Sequence, residues 1–286
     1  MGYLNMFQTG LLGGKKILVT GGGTGLGAAM GQRFVELGAE LVICGRRQAV
    51  LEETAGRIRE TTGGVVTTVQ CDIRDPERVE AMMDEIWRSG PLTVLVNNAA
   101  GTFLAKTENL SHRAVDAIVS TTLNGAVYCT ISAGRRWISA RAKGAVLSIL
   151  SPSTITGKAF TVPSAIAKSG LLAMTRSLAV EWGPKGIRLV AIAPGLFPTP
   201  GAAERLLPSE RNKAGGPEAR IPLGRVGEHA ELANLASYLV SDQAGYITGE
   251  MVVIDGGSHL RTSGVEDLLL WTDKQWEEVR GKRKSR

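Results

Sequence analysis

The chain has 286 residues, of which 43% are hydrophobic and 21% are charged, and these values are typical of a soluble globular protein rather than a disordered or fibrous one. The length allows one large domain or two small ones. The formal net charge is +6, but five of the positive charges lie within residues 280–286, so the rest of the chain is close to neutral. A basic terminal tail is usually solvated and disordered, and we therefore expect no nucleic-acid partner.

The cysteines and the N-terminal residues indicate in which cellular compartment the protein is expected. Cys44, Cys71 and Cys129 are odd in number and irregularly spaced, which argues against a disulfide framework and against a zinc site. No apolar run looks long enough for a membrane span. Residues 1–14 lack the charged start and long apolar centre of a signal peptide. We therefore expect a cytoplasmic protein with no metal site and no membrane contact.

The rest of the chain reads as organised around residues 16–37. Lys16–Thr20 is a short apolar run that predicts a buried strand. The glycines from Gly21 to Gly27 predict a tight turn whose backbone can meet a ligand, and apolar residues then recur at helical spacing. Strand, glycine turn and helix start together make an anion site, because unpaired N–H groups point at one spot. A tight turn without a ligand is the alternative, but this context favours dinucleotide binding.

Strands and helices alternate over the remaining chain. Asp75 and Ser111 are predicted helix N-caps, and Thr272 with Gln275 predicts a capping box that opens a short C-terminal helix. The alternation predicts an α/β fold, a single-domain Rossmann-like doubly wound parallel sheet with helices on both faces. The predicted strands are 40–44, 65–71, 92–96, 145–150, 187–192 and 251–254, and the main helices are 48–61, 76–88, 112–141, 164–182 and 228–240.

One long segment breaks this alternation. Residues 194–226 contain six prolines and little periodicity. A long irregular loop in a compact domain often covers a ligand, so we expect 194–226 to be a substrate loop. Without an internal repeat or a linker composition, one domain over residues 1–286 is expected, with 258–286 as a C-terminal extension.

The chain contains a series of ordered motifs: Thr20-Gly21-x-x-x-Gly25-x-Gly27, Asn97-Asn98-Ala99-Ala100-Gly101, Asn124, Ser151, Lys168, and Pro194-Gly195 with Thr199. In this order they resemble the short-chain dehydrogenase/reductase family over nearly the whole chain. Residues 162–170, 177–182 and 274–276, with Ser164 where most of the family has tyrosine, are more narrowly similar to the 2,4-dienoyl-CoA reductases of the mitochondrial type.

The resemblance implies a nucleotide site, and the residues indicate which nucleotide. NAD-specific folds of this kind place a carboxylate at the end of the second strand, whereas residues 44–47 read Cys-Gly-Arg-Arg. A guanidinium there suits a 2′-phosphate. Solvated arginines are the alternative, but the helix dipole disfavours them at a helix start, so we expect NADP(H).

The nucleotide contacts implied by the resemblance follow the cofactor from end to end. They are Gly21, Thr24, Gly25, Leu26 and Gly27 around the pyrophosphate, Arg46 at the 2′-phosphate, Asp72 and Ile73 against the adenine, Asn98, Ala99, Ala100 and Gly101 along the middle, Lys168 on the nicotinamide ribose, and Pro194, Gly195 and Thr199 around the carboxamide.

The missing tyrosine bears on the chemistry. Ser164 and Lys168 are four residues apart and share a helix face. In the wider family a tyrosine acidified by the lysine protonates a carbonyl, and a serine hydroxyl is shorter and far less acidic. Reduction of a conjugated C=C beside a thioester needs only hydrogen-bond donors around the developing oxyanion. The serine therefore favours the same activity as the resemblance, and the alternative is an inactive site.

Two positions depart from the dienoyl-CoA reductase pattern. Thr102 replaces an asparagine after Ala-Ala-Gly, and Ser153 replaces the catalytic tyrosine of the mitochondrial type. Thr102, Ser151, Ser153 and Ser164 are candidates for binding the substrate oxygen. Thr102 and Ser153 can equally be loop-capping residues. Asn124 is a catalytic candidate that we rank first as structural.

Three functions stay open at this point: a reductase of enoyl or dienoyl thioesters, a reductase or dehydrogenase of small alcohols or carbonyls, and an NADP(H)-binding protein without chemistry. The resemblance also implies pairing of the helices near 111–141 and 164–182 into a homotetramer. Small residues of the second helix would allow close approach, and Leu171, Leu172 and Met174 would supply apolar area.

Overall fold

The computed structural model describes residues 7–199, 216–261, 264, 265, 268 and 271–284. Within these residues seven parallel strands form one sheet in the order β3-β2-β1-β4-β5-β6-β7, which confirms the predicted fold class. The strand order reverses between β1 and β4, and ligands of such folds bind at this switch point. The strands are β1 (Lys16–Thr20), β2 (Glu40–Gly45), β3 (Val66–Gln70), β4 (Val94–Asn97), β5 (Gly144–Ile149), β6 (Ile187–Pro194) and β7 (Met251–Ile254).

Successive residues of a strand point to opposite faces of the sheet. Because the strand residues are apolar on both faces, helices cover both faces. Ile17 packs in one apolar cluster with Phe34 and Leu239, whereas Leu18 packs in another with Met83 and Trp137. The described helices are α1 (Gly25–Glu36), α2 (Gln48–Thr62), α3 (Pro76–Arg88), α4 (His112–Val119), α5 (Gly125–Ala140), α6 (Ser153–Thr156), α7 (Val162–Trp182), α8 (His229–Val240) and α9 (Asp273–Lys284).

The predicted helix caps are confirmed. The Asp75 side chain accepts hydrogen bonds from the N–H groups of Glu77 and Arg78 at the start of α3. The Ser111 hydroxyl accepts one from Ala114 N–H at 3.2 Å. At the C-terminal capping box, Thr272 N–H donates to Gln275 Oε1 at 2.8 Å. Each bond satisfies an N–H group that the first helical turn leaves without an intrahelical partner.

Three local features differ from the expectation. The predicted helix 112–141 is interrupted by a π-helical segment, Ser120–Asn124, between α4 and α5, and α6 was not predicted. The basic tail is not disordered over its described part, since α9 continues to Lys284. Cations are favourable near a helix C-terminus because of the helix dipole, and the capping box fixes the helix start.

The expectation about membrane length was wrong for one helix. By length and composition alone, His112–Ala140 is long and apolar enough to cross a membrane, with a hydropathy of 1.2. Of the apolar window in this helix 33% is buried, and Cys129, Ala133 and Trp137 are fully buried in the apolar cluster on the sheet. Cys44, Cys71 and Cys129 are all buried and unpaired, and a cytoplasmic location stays a prediction.

Candidate active site

An open groove of about 1610 Å³ runs along the carboxyl ends of the strands. Its floor begins at the glycine turn after β1 and continues through the segments that follow β2, β3, β4, β5 and β6. This is where a doubly wound sheet binds its ligands. The groove therefore brings together segments that are far apart in the sequence.

The glycine turn lets backbone line the groove. Gly21 and Gly25 have φ values of 65° and 55°, which other residues rarely adopt. A Cβ atom on Gly21 would lie 3.0 Å from Ala99 Cα, and one on Gly25 would lie 3.2 Å from Thr199 Cγ2. Side chains at these positions would thus fill the cradle in which the pyrophosphate is expected.

The start of α1 is suited to an anion. Its N-cap residue, Thr24, makes no side-chain capping bond, and the first turn has no acidic residue. No side chain at the helix start therefore accepts hydrogen bonds from the N–H groups of that turn or neutralises the positive end of the helix dipole. Thr24, Gly25 and Leu26 line the groove. These residues fit the pyrophosphate of a dinucleotide.

Gly27 does not line the groove and has a packing role. A Cβ atom on it would lie 2.6 Å from both Asn98 Nδ2 and Gly21 O. Because glycine has no Cβ atom, Asn98 Nδ2 can donate to Thr20 O at 2.9 Å. Thr20 Oγ1 in turn accepts from the N–H groups of Asn98 and Ala99, at 3.0 and 3.1 Å. These bonds join β1 to β4 at the switch point and fix the segment Asn98–Gly101, which lines the middle of the groove.

Two arginines lie at the far end of the groove. Arg46 and Arg47 both line it and have exposed side chains. Arg47 is the N-cap of α2, where it makes no capping bond and no acidic residue occupies the first turn. The start of α2 thus adds positive electrostatic potential where the arginines would bind a phosphate.

Asp72 and Ile73 line the same end of the groove. The Asp72 carboxylate is engaged by Arg74, whose Nε donates to Oδ1 at 2.9 Å. This hydrogen bond lowers the pKa of Asp72, and the charge of Arg46 contributes in the same direction. Asp72 is therefore ionised at neutral pH and paired by Arg74.

Lys168 is the buried cation of the groove. It is 6% exposed, lies on α7 one turn after Ser164, and its Nζ donates to Ile149 O at the end of β5. Burial lowers the pKa of Lys168 from its ordinary value to about 8, because desolvation disfavours the charged form. At neutral pH the ammonium is thus largely protonated, and it lines the groove with Ser164.

The candidate hydroxyl residues line the same groove as Lys168. Thr102, Ser151, Ser153 and Ser164 all line it together with Lys168, whereas no tyrosine among the described residues does. Ser151 Oγ accepts from Ser153 N–H at 3.3 Å, which ties the start of α6 to the end of β5. The N-cap position of α6 is Pro152, so Ser153 does not cap this helix.

Asn124 lies in the π-helical segment and is not among the residues that line the groove. The same segment brings Thr121 into the groove lining, and Thr122 Oγ1 accepts from Gly101 N–H at 3.1 Å. A π turn is often found at functional sites because it re-aims the residues around it. Here it anchors the Asn98–Gly101 segment.

Sequence reasoning missed Thr121, Lys158 and His229 as groove residues, and it chose Arg46 without Arg47 from the arginine pair. His229 begins α8, and its Nε2 lies 2.8 Å from Pro198 O, which holds the start of the expected substrate loop. Pro194, Gly195 and Thr199 line the groove. Residues 200–215 of that loop lie outside the described residues, so the loop's role stays a prediction.

A doubly wound parallel sheet, a glycine-lined phosphate cradle and a buried lysine beside several hydroxyls define a nucleotide-dependent oxidoreductase. The family model described as enoyl-(acyl carrier protein) reductase matches residues 21–259. The chain therefore belongs to the short-chain dehydrogenase/reductase family.

Individual proteins are similar over most of the chain. An oxidoreductase of Caenorhabditis elegans, named as uncharacterized, is 42% identical over 94% of this chain and 88% of its own. A Bacillus subtilis protein named probable 2,4-dienoyl-CoA reductase [(2E)-enoyl-CoA-producing] is 40% identical over 86% of this chain and 97% of its own. A solved structure from Agrobacterium tumefaciens is named for 2-deoxy-D-gluconate 3-dehydrogenase and contains NADP. It is 32% identical, has a TM-score of 0.80, and the match covers 89% of this chain and 100% of that chain.

Proposed function

We propose that the protein uses NADPH to reduce a conjugated C=C bond of an acyl thioester, as a 2,4-dienoyl-CoA reductase does. The observation that carries this proposal is the composition of the reaction centre. A buried lysine and four hydroxyl side chains line the groove, and no described tyrosine does. The name of the Bacillus subtilis relative agrees with this reaction.

The choice of NADPH rests on the far end of the groove. Arg46 and Arg47 line it at the start of α2, where no acidic residue occupies the first turn, so a 2′-phosphate would meet guanidinium groups. The NADP in the related Agrobacterium tumefaciens structure supports the same choice. When bound, NADPH supplies a hydride to the substrate.

Reduction of a diene beside a thioester matches the groups present. A hydride entering at the far end of the diene moves an electron pair onto the thioester oxygen, and one proton then adds to carbon, so that one C=C bond is lost overall. The enolate oxygen needs hydrogen-bond donors that are already in place. The Lys168 ammonium and the hydroxyls of Ser151, Ser153 and Ser164 are such donors on this groove.

Reduction of a ketone would require a different group. An alkoxide must be protonated on oxygen, and in the wider family an acidified tyrosine does this. Ser164 occupies that position and has a hydroxyl of much lower acidity. The groove therefore supports carbon–carbon reduction better than carbonyl reduction.

The test is turnover with a matched panel of substrates. NADPH absorbance is followed with 2,4-hexadienoyl-CoA, with its saturated analogue hexanoyl-CoA, and with small ketones. We expect turnover only of the dienoyl thioester, and faster with NADPH than with NADH. Turnover of ketones alone would show a carbonyl reductase, whereas saturable NADPH binding without any turnover would show a binding protein.

We also propose a homotetramer, for which α7 offers a partly uncovered face. Ile166 and Val180 of α7 are 55% and 80% exposed, and such apolar exposure on one helix favours contact with a second copy. The expectation that Leu171 and Leu172 supply interface area was wrong, because they are buried in the chain's own core, at 1% and 8% exposure.

A further inference from the structure

Lys168 is held at a fixed place on the groove. It lies on α7 and is 6% exposed, and its Nζ donates a hydrogen bond to Ile149 O at the end of β5. The ammonium has three N–H donors and the neutral amine has one fewer, together with a lone pair. When one N–H bonds Ile149 O, the neutral amine therefore keeps one N–H and its lone pair. Because Lys168 lines the groove, a ligand there meets an amine that is already positioned.

The neutral amine is populated at neutral pH. Burial lowers the pKa of Lys168 to about 8, so about one in ten of these groups is neutral at pH 7, against fewer than about one in a thousand for a lysine in water. A desolvated lysine with a lone pair is one of the activated nucleophiles of enzymes. The groove thus holds a nucleophile that the proposed reduction does not use.

The surroundings of Lys168 suit attack on a carbonyl carbon. Ser151, Ser153 and Ser164 line the same groove and carry uncharged hydroxyl groups. Attack on a thioester carbonyl puts negative charge on its oxygen, as hydride transfer does, and hydroxyl donors stabilise that charge in both cases. Residues 151–180 contain no aspartate or glutamate, so no carboxylate of this segment holds the lysine in its protonated form.

We propose that Lys168 is acylated by saturated acyl thioesters that enter the groove. This proposal rests on the proposed function, which places the thioester carbonyl beside Lys168. A saturated thioester has no conjugated C=C bond to accept a hydride, so it stays in the groove without being reduced. The nitrogen lone pair attacks the carbonyl carbon, an N–C bond forms, the C–S bond breaks, and the proton lost by nitrogen goes to the departing thiol. One amine and one thioester thus give one amide and one thiol, without oxidation or reduction.

Acylation of Lys168 would stop the reduction. An amide nitrogen carries no charge and a single N–H group, which Ile149 O can accept, so no donor is left for an enolate oxygen. The attached acyl chain would also occupy the groove. Saturated thioesters are therefore slow inactivators of the protein.

The test locates hexanoyl groups by peptide mass spectrometry after the whole chain is incubated with hexanoyl-CoA and NADP⁺ at pH 7 and at pH 9. Lys185 is the internal reference, because it is exposed and lies just before β6, at the amino ends of the strands and away from the groove. Lys168→Arg and Lys185→Arg are the matched variants, since each removes one amine and keeps the positive charge.

Lys168 should be acylated at least about tenfold faster than Lys185 at pH 7, because the groove holds the amine and the thioester together. The rate at Lys168 should saturate with hexanoyl-CoA concentration, whereas the rate at Lys185 should rise linearly. With a pKa of about 8, the rate at Lys168 should rise about tenfold from pH 7 to pH 9.

Turnover of 2,4-hexadienoyl-CoA should be lost in proportion to the fraction of protein that is modified at Lys168. Lys185→Arg should be inactivated by hexanoyl-CoA at the wild-type rate. Lys168→Arg should gain no hexanoyl group at position 168, because a guanidinium stays protonated.

Several results would overturn the proposal. Acylation of Lys168 no faster than that of Lys185, or without saturation, would show that the groove does not bring the amine and the thioester together. A hexanoyl group on Ser164 instead of Lys168 would identify the hydroxyl as the nucleophile. Full turnover by protein modified at Lys168 would show that acylation does not inactivate.

The outcomes for the acylation and for the reduction are separate. Protein that reduces 2,4-hexadienoyl-CoA but gains no hexanoyl group on Lys168 would refute the acylation and leave the proposed function standing. Saturable acylation of Lys168 in a protein that reduces no thioester would support the acylation and refute the proposed reduction.

Discussion

Replacement of Lys168 by methionine should lower kcat strongly while keeping the fold. Methionine fills most of the volume of the lysine side chain, and position 168 is 6% exposed, so the substitution leaves no large cavity. The ammonium has three N–H donors. Within the described residues one of them is donated to Ile149 O, and two remain for a ligand in the groove.

The expected loss can be worked out from these donors. One preorganised donor beside a developing oxyanion contributes about 2.7–4 kcal/mol to the transition state. At about 1.36 kcal/mol for each factor of ten, its loss lowers kcat by about 100-fold to about 1,000-fold. NADPH affinity should fall by less than about tenfold, because the loss of one hydrogen bond to the ribose is worth about 1 kcal/mol and the contacts at the glycine turn and Arg46 are intact.

The assay is steady-state turnover of 2,4-hexadienoyl-CoA, with NADPH affinity measured separately by fluorescence. Ser164→Ala is the companion variant and should have a milder effect, since its short hydroxyl is one of several on the groove. The reasoning is refuted if Ser164→Ala abolishes turnover while Lys168→Met leaves it intact, because the serine would then be the essential acid.

Four further predictions follow from the same contacts. Arg46→Asp should reverse the preference for NADPH over NADH, measured by the two dissociation constants; equal wild-type affinities would contradict the role of Arg46. Because the pKa of Lys168 is lowered to about 8 and the protonated form is the donor, kcat/KM should be level below about pH 8 and fall above it. Lys168→Arg, if active, should lose this alkaline limb because a guanidinium stays protonated. Gly27→Ala should lower stability by about 1–3 kcal/mol in a denaturant titration, since its Cβ would meet Asn98 Nδ2 at 2.6 Å. Light scattering should give a tetramer, dissociated by Val180→Arg; a wild-type monomer at micromolar concentration would exclude it.

The strands and the nucleotide end of the groove were predictable from local patterns. β1 and β7 have the predicted bounds, because a short run of branched apolar residues bounded by polar residues and glycines has few alternatives to a buried strand. The glycine turn could be placed for the same reason, since strand, glycines and helix start are contiguous in sequence.

The parts that were missed depend on contacts distant in sequence. The π-helical segment Ser120–Asn124 contains no residue type that marks such a turn, and the Thr122 hydroxyl holds Gly101, which follows a different strand. The helix α6 consists of Ser-Thr-Ile-Thr, a sequence of low helix propensity. Its start is held by the Thr154 hydroxyl, which donates to Ser151 O at 2.9 Å.

The loop between α6 and α7 was unpredictable for another reason. Positive φ is expected at glycine or asparagine, so no sequence rule places it at Phe160. Lys158 was likewise missed because a single lysine in a loop sequence forms no recognisable motif. Only the fold shows that its loop lies beside the loop of Ala105.

The most direct measurement of the proposed reaction is the position to which the hydride is transferred. The protein is incubated with 2,4-hexadienoyl-CoA and NADPH that carries deuterium at the transferred position of the nicotinamide, and the product is analysed by mass spectrometry and NMR. We expect one deuterium per product molecule on carbon 5 of the acyl chain, the far end of the diene. An acyl chain without deuterium, while a ketone in the same assay gains deuterium at its carbinol carbon, would contradict the assignment and identify a carbonyl reductase instead.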